Sequence, residues 1–273
     1  MYQLGWFSTG RGKGSRGLLE AVHDSIESGE TNAEIAFVFC SREHGETERT
    51  DIFLRMVEDY NVPLVTFSYQ RYKSETGGSA SSGEGLPPWR LGYDREIMAR
   101  LKGFKPDLCV LAGYMLIVGP EMCQKYDMIN LHPAAPGGPA GTWQEVVWKL
   151  IESGAESTGA MMHLVTPELD KGPVVAYCTF PIRGQAFDRY WSEIKGKSVA
   201  QVKQEQGEEN ALFKLIRQHG VIRELPLIIA AVQAFSQGRV KITPDKQVVD
   251  AQGKPIKGCD LTAEIDEKIR GLL

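Results

Sequence analysis

A short apolar run, Met128-Ile129-Asn130-Leu131-His132, stops at Pro133. In an extended chain alternate side chains share a face, so Asn130 and His132 stand on the same side, and the proline ends the strand directly after them. A carboxamide N–H can hold an oxyanion as it forms, and an imidazole can exchange a proton near neutral pH. Two structural polar groups would look the same, so the pair calls for a third member. Leu169-Asp170-Lys171-Gly172-Pro173 is a polar break between two apolar runs. A carboxylate at Asp170 could orient His132 and favour its protonated form, although a plain turn accounts for the same letters. Between them, Ala134-Ala-Pro-Gly-Gly-Pro-Ala-Gly141 reads as a shaped wall or lid beside the pair. Such a centre needs no metal, since Asn130 supplies a donor where an electrophilic ion would otherwise sit. His163 is read either as a supporting structural histidine or as a substrate contact, and His23, His44 and His219 belong to no constellation.

A second candidate is the turn Gly10-Arg-Gly-Lys-Gly-Ser15 followed by Arg16. Glycines let backbone N–H groups approach an anion, and a helix N-terminus favours negative charge. Arg11, Lys13 and Arg16 add positive charge at the same place. The spacing is neither that of the nucleotide P-loop nor that of the dinucleotide fingerprint. The expectation is a cradle for a phosphate or carboxylate, with a simple tight turn as the alternative.

Both candidates need a frame that brings residues 12, 132 and 170 together. Leu4–Ser8, Glu34–Cys40, Val62–Phe67 and Leu108–Ala112 read as strands, separated by stretches with apolar residues at helical spacing, such as Leu18, Leu19, Val22 and Ile26. Strand and helix in alternation imply crossovers and a mostly parallel sheet. Met161–Val165 and Val174–Phe180 have no room for a helix between them and read as an antiparallel pair. Gln70–Pro88, with its Gly/Ser run, reads as a mobile surface loop, and a helix resumes near Tyr93. From Asp188 the composition turns charged, and Gln201–Glu209 reads as a solvated helix or linker. Leu225–Phe235 reads as a helix on the sheet, Lys241–Lys257 as a hairpin, and Leu261, Ile265, Ile269 and Leu272 as a final amphipathic helix.

Composition narrows the classes. The 273 residues are 42% hydrophobic and 24% charged, enough for a sizeable core and against wholesale disorder. Thirty-one basic and 35 acidic side chains leave a net charge of −4, which argues against a nucleic-acid coat. No run reaches the roughly 18–20 apolar residues of a membrane span, and the N-terminus does not read as a signal peptide, so a cytoplasmic setting is expected. The five scattered cysteines are expected to be free thiols, mostly packed as small hydrophobes.

These motifs, in this order, resemble the folate-dependent formyltransferase family. The likeness is carried by Gly12–Ser15, Tyr93-Asp-Arg-Glu96, Pro106-Asp-Leu-Cys-Val-Leu-Ala-Gly-Tyr-Met115, Asn130-Leu-His-Pro133 and His163-Leu-Val-Thr-Pro-Glu-Leu-Asp-Lys-Gly-Pro-Val174. The resemblance implies an α/β fold with a doubly wound, mostly parallel seven-stranded sheet. The main unit would run over 1–240, with its phosphate-binding part in 1–107 and its folate and catalytic part in 108–240. A helical insertion lies within it, and a hairpin-and-helix extension follows at 241–273. The resemblance also implies transfer of a formyl group from the cosubstrate 10-formyltetrahydrofolate to the primary amine of a small phosphorylated acceptor, phosphoribosylglycinamide first, as in purine biosynthesis. Asn130, His132 and Asp170 match the catalytic trio. Arg90, Met115, Leu116, Ile117, Val118, Pro167 and Glu168 match the folate surface, and Gly12, Lys13, Gly14, Ser15 and Arg16 the acceptor's phosphate turn.

The sequence departs from the family at Leu116, where an arginine is usual, and at Ala134–Gly137, which replaces Ser-Leu-Leu-Pro. It departs again at Arg16, in place of asparagine, and near Val221, where a ribose-binding glutamate is expected. These departures bear on the acceptor. Hydrolysis of 10-formyltetrahydrofolate and formylation of an amino-sugar nucleotide are therefore the alternatives within the family, and a non-catalytic ligand-binding protein the alternative outside it. Neither nucleic acid nor membrane is an expected partner; a homodimer is compatible with the sequence.

Overall fold

The computed structural model describes residues 1–78 and 85–272. Its first half winds as β1 (Tyr2–Ser8), α1 (Lys13–Glu27), β2 (Ala33–Cys40), α2 (Glu48–Asp59), β3 (Leu64–Thr66), α3 (Tyr69–Glu75), α4 (Pro88–Arg100) and β4 (Leu108–Leu111). It continues through α5 (Pro120–Lys125), β5 (Met128–His132), α6 (Trp143–Ser153), β6 (Ser157–Leu164) and β7 (Val174–Pro181). Helices α7 (Asp188–Glu193), α8 (Val199–Glu205) and α9 (Ala211–Ser236) come next. The chain ends with β8 (Val240–Ile242), β9 (Val248–Asp250), β10 (Cys259–Asp260) and α10 (Thr262–Lys268).

The main sheet has the order β10-β7-β6-β5-β4-β1-β2-β3. Strand β4 is buried on both faces, as a central parallel strand must be. From β1 the chain moves outward through β2 and β3, then returns to lay β4 on the other side of β1 and continues to β5. That reversal is a topological switch point, where the loops after the two central strands diverge and leave a crevice. Two hydrogen bonds tie those loops together: the Thr9 N–H donates to the Gly113 carbonyl (3.1 Å) and the Met115 N–H to Thr9 Oγ1 (3.0 Å). Gly113 has φ +69°, and a Cβ there would stand 2.9 Å from that of Ser15, so only glycine lets the end of β4 pass so near the start of α1.

One face of the sheet carries α1, α2, α9 and α10 over a core that includes Leu19, Val22, Phe53, Ile228, Val232 and Ile265. The other carries α4 and α5 over Phe7, Phe39, Tyr93, Ile97 and Met122. Beyond β5 the sheet turns antiparallel, with β6 between β5 and β7. The seven expected strands are all present, and two-residue β10 adds an eighth, parallel to β7.

Three sequence expectations are corrected. Gln70–Pro88 is not wholly loop: α3 covers Tyr69–Glu75, capped by the Ser68 hydroxyl, and α4 begins at Pro88 rather than near Tyr93, because a proline at the first helical position costs no hydrogen bond. The expected mobility of the Gly/Ser run falls on 79–84, outside the described residues. Leu225–Phe235 is the second half of one helix, α9, which continues through Pro226. Leu272 is 66% exposed and does not join Leu261, Ile265 and Ile269 beneath the final helix. The expected hairpin at 241–257 is present as β8–β9, and all five cysteines are free, four of them buried.

Candidate active site

Strand pairing assembles the site. In the β5–β6 ladder Asn130 faces His163 and His132 faces Met161, so Asn130, His132 and His163 share one face of the sheet. The loop between β6 and β7 returns over that face. Gly172 is forced by the approach: a Cβ there would lie 1.6 Å from the Leu164 carbonyl oxygen. The Leu164 N–H donates to the Pro173 carbonyl (2.8 Å), and the Thr166 hydroxyl to the Glu168 carbonyl (3.0 Å), which clamps both ends of the loop. At its tip Asp170 has φ +56°, a left-handed conformation that costs an ordinary residue about 1 kcal/mol. The strain is held by the clamp and aims the carboxylate at two rings.

Asp170 Oδ2 lies 3.8 Å from His132 Nδ1 and Oδ1 lies 3.6 Å from His163 Nε2. Both histidines are 3% exposed. His132 Nε2–H donates to the Pro139 carbonyl (2.9 Å), so the 134–141 segment closes directly on the ring. His163 Nδ1–H donates to the Leu164 carbonyl (3.0 Å), and its Nε2 lies 3.4 Å from Asn130 Nδ2. Burial pushes the His163 imidazole below its ordinary pKa, with the Leu164 carbonyl and Asp170 opposing and the nearby His132 adding to the depression. A buried neutral ring beside a carboxylate is the result.

A slot opens onto this cluster. Leu111, Tyr114, Leu116, Ile117 and Val118 form one side, Val165, Thr166 and Leu169 the other, and Asn130, His163 and Asp170 the floor. It encloses about 50 Å³, well under the roughly 300 Å³ of a typical ligand pocket. Leu169 is 59% and Ile117 37% exposed, so its lips can part without disturbing the core. Its walls are apolar and its floor polar. Of the residues expected on the folate surface, Leu116, Ile117 and Val118 line the slot, while Met115, Pro167 and Glu168 stand exposed outside it. Arg90 is elsewhere: 3% exposed, it pairs with Asp94 at 2.6 Å, and Asp94 Oδ2 accepts the Gly119 N–H at 2.7 Å. The pair braces the 113–119 loop from behind.

The turn after β1 supplies a second feature. Gly12 is the N-cap of α1, with no side-chain cap and no acidic residue in the first turn. The Ser15 hydroxyl donates to the Gly12 carbonyl (3.0 Å), and a Cβ at Gly12 or Gly14 would meet nothing within 4 Å. The first-turn N–H groups therefore face open space, with Lys13 exposed beside them. Arg16 Nη1 is buried without a hydrogen-bond partner among the described residues. Strand β4 separates β1 from β5, so the turn after β1 and Asn130 sit at the carboxyl ends of two strands that are two spacings, about 10 Å, apart.

Sequence reasoning missed the weight of His163. It lines the slot, whereas His132 stands behind Asp170 and is not among the lining residues. The antiparallel reading of its strand paired it with Val174–Phe180; its place opposite Asn130 comes from the separate β5–β6 register, which no local pattern in the sequence signals.

The family model for formyl transferases matches residues 11–186. The chain belongs to the formyl transferase family. Its members are folate-dependent enzymes that use 10-formyltetrahydrofolate as formyl donor. The chain is 28% identical over 171 residues to phosphoribosylglycinamide formyltransferase of Escherichia coli, covering 62% of this chain and 68% of that protein. In fold, this formyl transferase superposes on the phosphoribosylglycinamide formyltransferase of Coxiella burnetii with a TM-score of 0.65 and 18% identity, over 95% and 98% of the two chains. It also superposes on a formyltetrahydrofolate deformylase of Burkholderia mallei with a TM-score of 0.59 and 16% identity, over 91% and 69%. Among the described residues no helix is long and apolar enough to cross a membrane.

Proposed function

We propose that this formyl transferase passes the formyl group to the primary amine of a small phosphorylated acceptor, with phosphoribosylglycinamide the leading substrate. One observation supports the reading: an uncapped helix N-terminus with Lys13 and Arg16 follows β1, whose carboxyl end is two strand spacings, about 10 Å, from that of the Asn130 strand, on the same edge of the sheet. A sugar with a phosphate at one end and a glycyl amine at the other spans such a distance. Water as acceptor would need no anion cradle. Glu224, the nearest glutamate to the expected ribose contact, is paired with Arg217, and Glu168 is exposed beside Lys171.

In this reading the slot between Leu116–Val118 and Leu169 holds the pterin end of the folate, with the formyl carbon over Asn130. The Asn130 carboxamide N–H stabilises negative charge as it develops on the formyl oxygen. Asp170 orients His132 across their 3.8 Å approach, and the Asp170–His132 pair carries the proton from the attacking amine toward the departing folate nitrogen. Because Pro139 already occupies His132 Nε2, proton traffic runs through Nδ1 on the Asp170 side.

The test is to mix the protein with 10-formyltetrahydrofolate and offer phosphoribosylglycinamide, amino-sugar nucleotides or no amine, following tetrahydrofolate and formylated product together. Phosphoribosylglycinamide-dependent release with matching product is expected. Release without an amine, unchanged by phosphoribosylglycinamide, would refute the reading in favour of hydrolysis. Product only with an amino-sugar nucleotide would replace the acceptor.

A further inference from the structure

We propose that His163 is a positioning residue that sets the orientation of the Asn130 carboxamide, so that one N–H of that amide is presented to the slot. The inference rests on the reading of Asn130 as the oxyanion donor, and it follows from which atoms are able to donate. A backbone carbonyl only accepts, so the 3.0 Å contact to Leu164 places the proton on His163 Nδ1. In the neutral ring Nε2 is then only an acceptor. The Asn130 atom 3.4 Å from it must be the NH₂ group, not the carbonyl oxygen. One of the two amide hydrogens is spent on His163 and the second remains for the slot, whose floor Asn130 and His163 share.

A protonated His163 would reverse this. Its Nε2–H would turn toward Asp170 Oδ1, now 3.6 Å away, and would confront the Asn130 N–H with a second donor. The amide would flip and present its oxygen to the developing negative charge. The groups facing the ring are Asn130 and His132 from β5, Asp170 from the β6–β7 loop and the Leu164 carbonyl of its own strand. Burial outweighs the carboxylate and keeps the ring neutral.

Two measurements test the proposal. In the ¹⁵N-histidine-labelled protein at neutral pH, His163 should show a protonated Nδ1 and an unprotonated Nε2, and the Nε2 signal should move in Asn130→Ala. An Nε2–H tautomer or an imidazolium would overturn the proposal whatever the enzyme's substrate. For turnover, His163→Leu removes the acceptor and should lower kcat about 30-fold, in the range of a lost oxyanion donor, with the folate KM within about threefold of wild type. His163→Gln, which can offer an acceptor oxygen near the same point, should recover much of that loss. Adding Asn130→Ala to His163→Leu should cost almost nothing further, because both changes remove one donor. Full additivity in that cycle would overturn the proposal. Wild-type turnover in Asn130→Ala alone would instead refute Asn130 as the donor, and the ring tautomer would still decide the orientation.

Discussion

Gly172→Ala is a one-carbon change two residues from Asp170, at the point where the β6–β7 loop touches the backbone of β6. The added Cβ would lie 1.6 Å from the Leu164 carbonyl oxygen, and real Cβ atoms do not come nearer than 3.0 Å. Both partners are backbone, so the loop must lift by about 1.4 Å. A lift of that size carried to Asp170 stretches its 3.8 Å approach to His132 to about 5.2 Å. At an effective dielectric of about 20, the attraction between the carboxylate and a protonated imidazole falls from about 4.4 to about 3.2 kcal/mol. That loss of about 1 kcal/mol is five- to tenfold in rate, and misplacement of a reacting group by about 1 Å brings the total toward 100-fold. Stability should fall by about 1–3 kcal/mol, the ordinary cost of overpacking. The assay is kcat at saturating 10-formyltetrahydrofolate and acceptor, beside urea unfolding. Gly12→Ala serves as the control for folding, since its Cβ meets nothing within 4 Å. A Gly172→Ala enzyme with kcat within twofold of wild type and unchanged unfolding would show that the loop is not held as described.

Four further outcomes are expected. Lys13→Ala with Arg16→Ala should raise the acceptor KM at least tenfold and leave kcat nearly unchanged, since a remote phosphate is bound equally in ground and transition states; an equal fall in kcat would contradict this. Arg90→Leu leaves the Asp94 carboxylate buried without its cation and should cost about 3–5 kcal/mol in urea unfolding, with a weaker folate KM as the 113–119 loop loosens. Deleting 259–273 exposes the ground beneath Leu261, Ile265 and Ile269, each worth about 1.5–3 kcal/mol, and removes the β10 pairing; a melting temperature unchanged by the deletion would refute that docking. His163 and His219 are both held below their ordinary pKa, chiefly by burial. A folded state that resists protonation is most stable above the unfolded pKa of about 6.5 and loses stability as pH falls through it. The drop in unfolding free energy between pH 7.5 and pH 5.5 should therefore shrink in His219→Gln, and an unchanged slope would count against the burial.

Much of the frame was legible because local patterns dictate it. Strand β4 is apolar at every position since both its faces are covered, and the helical spacing of Leu18, Leu19 and Val22 matches the buried stripe of α1. Pro133 after Asn130 and His132 marked a strand end, and Gly12 to Ser15 marked an open helix start, because those residue types act through their own backbone. The helix over Tyr69–Glu75 was hidden: it has no buried residue, so no apolar stripe announces it. Arg90 could not be placed from its letter, since its fate depends on Asp94 one turn later and on a loop 25 residues beyond that.

What the sequence determined by itself was the set of chemical groups and the ends of strands that present them. Which groups meet was left to tertiary structure. Asn130 stands opposite His163 only because β6 runs antiparallel to β5 in one particular register, and a slip of one residue would send His163 to the other face. Asp170 reaches both rings only because Gly172 lets the loop lie against Leu164. The Gly12–Ser15 turn and the slot lie on the same edge of the sheet because β4 returns to the side of β1. Pairing across a sheet and contact between backbones are relations among distant segments, and no single segment contains them.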